Sequence, residues 1–133
     1  MADKIVVITG PTATGKTRLS VELARDFGGE IVSADSMQIY RGMDIGTAKV
    51  THTEMQGVTH HMIDIVDPTE VYSVSRYVED ANKAVQDILA RGRLPIIAGG
   101  TNLYIDSLIS GLDFAERAVS YTHLRAHETT LHL

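Results

Sequence analysis

Short apolar runs alternate with amphipathic segments along most of the chain. Residues 4–9 (KIVVIT) form a short, mainly apolar and β-branched run, which is typical of a strand that is buried on both faces. Apolar residues then recur at helical spacing over residues 16–27, and the glycine pair 28–29 is placed to end that helix. Residues 30–34 (EIVSA) predict a second strand that leads to Asp35. The first 35 residues therefore predict one β-α-β unit.

The same alternation continues in the second half of the chain. Residues 62–66 (MIDIV) predict a short third strand. Residues 74–89 keep one apolar helical face for four turns, with Ser73 placed to cap the helix and Gly92 to end it. Residues 94–98 (LPIIA) predict a further strand, and their proline fits best near a strand start.

A glycine-rich turn after that strand leads into a last helix. Its apolar positions are Leu103, Ile105, Leu108 and Ile109. Residues 36–57 are irregular and polar by contrast, and connections of this length are usually functional or mobile. Strands and helices in this order predict a parallel α/β sheet with flanking helices.

The turn after the first strand carries a phosphate-binding motif. It fits G-x-x-x-x-G-K-[ST] at every defined position, between a predicted strand and a predicted helix. Its backbone N–H groups can surround an anionic oxygen, Lys16 adds a full charge, and the Thr17 hydroxyl is placed to bind Mg²⁺. We predict a site for a di- or triphosphate on a P-loop NTPase-like α/β fold. The residues are Gly10, Pro11, Thr12, Ala13, Thr14, Gly15, Lys16 and Thr17.

The motif alone leaves the chemistry open. A kinase needs cationic groups over the transferred phosphoryl group, whereas Arg76, Arg91 and Arg93 lie on or beside a predicted helix. A motor-type NTPase needs an acidic residue after an apolar strand, whereas residues 94–98 are followed by Gly-Gly-Thr. Phosphoryl transfer from ATP and nucleotide binding without chemistry both remain possible at this point.

Two polar residues stand where predicted strands end. Asp35 is placed to act as a general base or as an outer-sphere partner of Mg²⁺, and its alternative role is to cap a helix starting at Ser36. Thr101 is placed to donate to a ligand or to cap the helix that follows it. His60 and His61 are adjacent, so their side chains diverge on a regular element, and we predict one packed and one exposed ring.

Charge and composition exclude several classes of protein. The chain has 12 Lys and Arg against 17 Asp and Glu, a formal charge of −5, which argues against a domain built wholly to clamp nucleic acid. The lack of cysteine excludes disulfides and thiolate chemistry. No apolar run approaches the roughly 20 residues of a membrane helix, and no signal-peptide core follows the first residues. We expect a cytoplasmic protein without membrane contact.

Four segments resemble, in the same order, the tRNA dimethylallyltransferases, which are also called tRNA isopentenylpyrophosphate transferases. The segments are residues 10–17, residues 33–49 (SADSMQIYRGMDIGTAK), residues 60–64 (HHMID) and residues 99–104 (GGTNLY). The resemblance covers about residues 3–114, and its second segment is far more specific than the phosphate loop. Asn102 departs from the pattern, because the family often has glycine there.

The resemblance implies transfer of a dimethylallyl group from dimethylallyl diphosphate to N6 of the adenine next to the anticodon. The loop would hold the diphosphate with Mg²⁺, and the adenine would be turned out of its stack. Asp35 would deprotonate the amine, Thr101 would stand near the transferring group, and Lys16 would stabilise the departing diphosphate. The implied partners are the tRNA anticodon stem-loop and dimethylallyl diphosphate, bound by a monomer. The implied tRNA contacts are Asp35, Ser36, Met37, Gln38 and Thr101.

Residues 115–133 do not fit the pattern of the rest. They resemble a peptide encoded by translated adapter bases, and the alternatives are a divergent natural tail or a metal-binding arm with His123 and His127. We expect residues 1–114 to form an incomplete (truncated) P-loop core that is inactive alone, followed by an artefactual tail. A small-molecule kinase that binds ATP and an adenylate prenyltransferase are the alternative functions.

Overall fold

A computed structural model describes residues 5–8, 14–42, 55–110 and 118–121. Its strands are β1 (Ile5–Ile8), β2 (Gly29–Ser33), β3 (His60–His61), β4 (Leu94–Ala98) and β5 (Ala118–Tyr121). Its helices are α1 (Thr14–Phe27), α2 (Val74–Ala90) and α3 (Asn102–Ser110).

The described strands form one sheet in the order β3-β2-β4-β1-β5. All of these pairings are parallel, so the predicted parallel α/β sheet is confirmed. The strand β4 lies between β2 and β1, although it follows both of them in the chain. The carboxyl ends of these three strands therefore meet at one edge of the sheet, where open α/β sheets bind their ligands.

Helices cover both faces of the sheet, and the residues of β1 alternate between them. Ile5 and Val7 belong to a buried cluster with apolar residues of α2 and α3. Val6 and Ile8 belong to a second cluster with apolar residues of α1. All four side chains are buried, which confirms the prediction of a strand covered on both faces.

The predicted helix ends are confirmed where a local residue determines them. Ser73 caps α2, since its hydroxyl accepts a hydrogen bond from the Arg76 N–H at 3.1 Å. Gly28 and Gly92 follow α1 and α2 in the left-handed region, with φ of +67° and +73°. Glycine adopts this conformation without the steric cost that other residues pay. At the other end, α1 begins at Thr14, two residues earlier than predicted.

The third strand was predicted in the wrong place. The structure has β3 at His60–His61, paired with β2, instead of a strand over residues 62–66. Met62 and Asp64 have positive φ values of 69° and 58°, which a strand does not allow. Only an isolated bridge to Tyr40 remains at Val66.

The strand β5 was not predicted at all. It pairs along the whole of β1, from Ile5 with Ala118 to Ile8 with Tyr121. This strand lies in the segment 115–133, which does not fit the pattern of the rest of the chain. The division into a core of residues 1–114 and a foreign tail remains a prediction, and His123 and His127 lie outside the described residues. In the described part of the chain, no helix is both long and apolar enough to cross a membrane.

Candidate functional site

The segments after β2 and β4 are joined by backbone contacts at the carboxyl edge of the sheet. The Ala34 N–H donates to the Ala98 carbonyl at 2.9 Å, and the Thr101 N–H donates to the Ala34 carbonyl at 3.0 Å. Gly99 lies so close to this backbone that a Cβ would stand 2.4 Å from the carbonyl carbon and oxygen of Ala34. Only glycine allows this approach.

The carboxylate of Asp35 is held at both of its oxygens. Oδ1 accepts a hydrogen bond from the Gly100 N–H at 2.8 Å, and Oδ2 accepts one from Nε2 of Gln38 at 3.2 Å. Residues 36–39 form a turn, closed by the Gln38 N–H donating to the Asp35 carbonyl at 3.2 Å. No helix begins at Ser36, so the alternative that Asp35 caps one is wrong.

Thr101 connects the same two segments through its side chain. Its hydroxyl oxygen accepts a hydrogen bond from the Ser36 N–H at 3.0 Å and lies 3.4 Å from the Ser36 hydroxyl. Thr101 directly precedes α3, and its carbonyl accepts the Tyr104 N–H at 3.0 Å. The Thr101 side chain therefore contacts the segment that follows β2. The structure brings together Asp35, Ser36 and Thr101 as a group.

Backbone hydrogen bonds to residues 64–66 hold the turn that carries Met37 and Gln38. The Asp64 N–H donates to the Gln38 carbonyl at 3.0 Å, and the Arg41 N–H donates to the Val66 carbonyl at 2.9 Å. Gln38 is half-buried, whereas Met37 is 46% exposed and presents apolar surface beside Asp35. This backbone thus presents one half-buried polar and one exposed apolar side chain.

The phosphate loop is described only in part. Gly10, Pro11, Thr12 and Ala13 lie outside the described residues, and the backbone of residues 14–17 forms the first turn of α1. This turn has no acidic residue, so nothing in it offsets the partial positive charge of the helix N-terminus. The Gly99 N–H donates to the Ile8 carbonyl at 3.4 Å, so the end of β1 lies beside the segment that follows β4. Diphosphate and Mg²⁺ binding by Lys16 and Thr17 remains a prediction.

A pair of stacked tyrosines is joined to the carboxyl end of β2 by a hydrogen bond. The buried Tyr77 hydroxyl donates to the Ser33 carbonyl at 2.8 Å, at the end of β2. The rings of Tyr77 and Tyr104 stack with centroids 4.2 Å apart and an angle of 18° between their planes. Burial raises the pKa of both hydroxyls above the ordinary value. Tyr77 lies within the helix that the sequence predicts over residues 74–89, but no sequence feature indicates its partner on β2.

A cluster of charged side chains around the buried Glu30 lies at the opposite, amino-terminal edge of β2 and β4. The carboxylate of Glu30 contacts Nη2 of Arg91 at 2.8 Å, Nε of Arg93 at 3.1 Å and Nε2 of His61 at 2.7 Å. The hydrogen bond from Arg91 lowers the pKa of Glu30 to about 2, although burial acts in the other direction. The sequence does not reveal this cluster, because its members are distant in the chain.

The two adjacent histidines differ in their partners but not in their burial. His61 binds Glu30, whereas Nδ1 of His60 lies 3.0 Å from the Val58 carbonyl. Both rings are half-buried, so the prediction of one packed and one exposed ring is wrong. Burial lowers the pKa of His60 below its ordinary value.

Comparison with known proteins identifies close relatives of this chain. A sequence model of the family described as IPP transferase matches residues 38–132. The tRNA dimethylallyltransferases of Caldanaerobacter subterraneus subsp. tengcongensis and Staphylococcus carnosus are each 60% identical over 116 residues, which is 87% of this chain. That alignment covers 37% of each relative, so the chain spans a little over a third of their length.

Solved structures show the same similarity. The full-length tRNA isopentenylpyrophosphate transferase of Bacillus halodurans matches with a TM-score of 0.80 and 53% identity, over 84% of this chain and 37% of the other. A eukaryotic dimethylallyltransferase acting on tRNA matches with a TM-score of 0.79 and 39% identity, over 84% of this chain and 28% of the other. The predicted P-loop NTPase-like fold class is thereby confirmed.

Proposed function

The chain belongs to the IPP transferase family, and from this membership we propose that it forms the catalytic core of a tRNA dimethylallyltransferase. The reaction transfers the dimethylallyl group of dimethylallyl diphosphate to N6 of the adenine next to the anticodon. The observation that carries the proposal is the convergence of Asp35, Ser36 and Thr101 at the edge of the sheet where β1 also ends. These residues come from two of the four segments that resemble the family.

Asp35 has the geometry that a general base needs. Each of its oxygens accepts one hydrogen bond from the protein, and a carboxylate has about four acceptor positions, so the proton of an amine can also be accepted. In the proposed step, N6 forms a bond to the allylic C1 while the bond from C1 to the diphosphate oxygen breaks. The diphosphate leaves with the electron pair, and Asp35 takes the proton from N6.

The diphosphate would lie at the N-terminus of α1. The positive end of this helix and the side chain of Lys16 favour the charge that grows on the leaving group. Thr17 would offer Mg²⁺ one hydroxyl oxygen, and this cation usually takes few protein ligands beside water and phosphate oxygens. When bound, the ion would neutralise part of the diphosphate charge.

The tRNA would meet the turn after β2. Ser36, Met37 and Gln38 lie there beside Asp35, and the exposed Met37 offers apolar surface to a base turned out of its stack. Thr101 would stand near the transferring group, on the other side of Asp35. The proposed setting is the cytoplasm, with the protein acting as a monomer.

A P-loop kinase that binds ATP is the second candidate. It would need arginines over the phosphoryl group. Arg91 and Arg93 instead bind Glu30 at the far edge of the sheet, so these two arginines are not placed for that task. Prenyl transfer to an adenylate remains a variant of the same chemistry.

The test requires a protein of the length of the relatives. Residues 1–114 would be joined to the remaining part of the B. halodurans transferase and incubated with dimethylallyl diphosphate and an unmodified anticodon stem-loop. Parallel reactions would replace the stem-loop by AMP, or dimethylallyl diphosphate by γ-labelled ATP. We expect prenylation of the stem-loop by the fusion and none by residues 1–133 alone. Phosphoryl transfer without prenyl transfer, or prenylation of AMP in preference to the stem-loop, would contradict the proposal.

A further inference from the structure

We propose that Gln38 is a positioning residue, whose side-chain amide aims the carboxylate of Asp35 at the substrate amine. Ser33 in turn fixes the orientation of that amide. The inference rests on the proposed function, because it is that function which makes Asp35 a general base. It assigns Gln38 a task within the protein, in addition to the place of this residue in the turn that would meet the tRNA.

The hydrogen bonds define which way the amide of Gln38 faces. Its Nε2 donates to Oδ2 of Asp35 at 3.2 Å, and its Oε1 accepts from the Ser33 hydroxyl at 3.4 Å. An ionised carboxylate only accepts hydrogen bonds, so the reversed amide would place two oxygens against each other. The carboxylate thus selects this orientation, and the Ser33 hydroxyl, which can donate or accept, donates to the oxygen of the amide.

Ser33 and the backbone of Gln38 are both held by contacts within the protein. Ser33 is 3% exposed, and its carbonyl accepts the hydrogen bond from the buried Tyr77 hydroxyl. The backbone of Gln38 is held by the Asp35 carbonyl on one side and by the Asp64 N–H on the other. The amide is therefore supported by the packed core, which is the condition for a precisely held catalytic group.

The carboxylate cannot turn without losing these contacts. The Gly100 N–H holds Oδ1 at 2.8 Å, so a rotation of the Asp35 carboxylate would break hydrogen bonds at both oxygens. Removal of the Gln38 amide leaves one contact and frees the rotation. Misplacement by about 1 Å can cost on the order of 100-fold in rate, so the loss should appear in kcat.

The first experiment compares Gln38→Met and Ser33→Ala in the active fusion protein, with Gln86→Met on the exposed face of α2 as the matched control. For Gln38→Met we expect kcat to fall roughly 10- to 100-fold with little change in KM for the stem-loop. Ser33→Ala should reduce kcat less, although its buried side chain cannot touch tRNA. The double variant should be no slower than Gln38→Met alone, because both act through one contact.

A second variant reports on the contact itself. In Gln38→Glu, the new carboxyl group repels Asp35 when it is ionised and donates to it when it is protonated. The ratio of the variant's kcat to that of the wild type should therefore rise as the pH falls. A ratio that does not change with pH, or a rise in KM for the stem-loop with unchanged kcat, would overturn the proposal.

A measurement without activity separates this inference from the proposed function. In the 133-residue chain, NMR would follow the side-chain amide protons of Gln38 and the backbone N–H of Gly100. Asp35→Asn should shift both, and Ser33→Ala should shift the amide of Gln38. Unshifted signals would refute the contact, whereas an inactive wild-type fusion with shifted signals would count against the transferase function alone.

Discussion

The ion cluster around Glu30 allows a quantitative prediction about stability. The pKa of Glu30 falls from its ordinary 4.5 to about 2, and each pKa unit corresponds to about 1.4 kcal/mol, so the ionised form contributes up to about 3 kcal/mol. The Arg91 and Arg93 side chains are 43% and 45% exposed, so water screens part of this interaction. We therefore expect Glu30→Gln to destabilise the fold by about 1–2 kcal/mol at neutral pH.

The pH dependence follows from the direction of the shift. Because the folded-state pKa is below the unfolded one, protonation favours the unfolded chain as the pH falls from about 4.5 towards about 2. The stabilisation is complete above that range and is lost within it. Glu30→Gln has no such proton to take up, so the difference from the wild type should shrink below about pH 4.5.

The assay is urea unfolding of the 133-residue chain, followed by circular dichroism between neutral pH and about pH 3. The matched control is Glu22→Gln on α1, where Glu22 is 61% exposed and lies 4.0 Å from Arg18. This control should leave stability almost unchanged at every pH. Equal stability of Glu30→Gln and wild type at neutral pH, or a difference that persists undiminished in acid, would refute the reasoning.

Three further predictions concern the site and its support. Asp35→Asn in the fusion protein should lower kcat roughly 10²–10⁴-fold with little change in affinity for dimethylallyl diphosphate, whereas Lys16→Ala should weaken that affinity; undiminished turnover of the Asn variant, measured by steady-state kinetics, would exclude a base. Gly99→Ala places a methyl group against the Ala34 backbone and should cost about 1–3 kcal/mol in urea unfolding, and no cost would contradict the close approach. Tyr77→Phe leaves the Ser33 carbonyl without its donor and should cost about 1–3 kcal/mol in the same assay, with wild-type stability as the refuting result.

Local patterns were sufficient to predict most elements of this fold. The helix at Val74–Ala90 lies between its capping residue Ser73 and Gly92, and the strand at Leu94–Ala98 begins shortly after Gly92. These nearby residues mark where the elements start and end, so the sequence located both elements to within a residue. The third strand failed because Met62 and Asp64 adopt positive φ, and Asp64 is held there by the distant Gln38 carbonyl. No local feature indicates such a contact.

The residues of the candidate site could be predicted from the sequence, but the hydrogen bonds that join them could not. Asp35 and Thr101 stand at strand ends, and that position alone singled them out. Their links run through Ser36 and Gly100, which lie 65 residues from their partners, and depend on how β4 pairs with β2. Glu30 was missed for a similar reason, since its partner Arg91 is 61 residues away.

The contact between Asp35 and Gly100 has a consequence for how the molecule folds. It closes a loop of 65 residues, and the chain must lose the corresponding freedom before the contact can form. Neither the β-α-β unit at the start nor the helix α2 can create the site by folding alone, because it exists only once β4 has entered the sheet between β1 and β2. Such non-local pairing is slow compared with helix formation, so the Gly100 amide should gain its protection from hydrogen exchange late, together with the sheet.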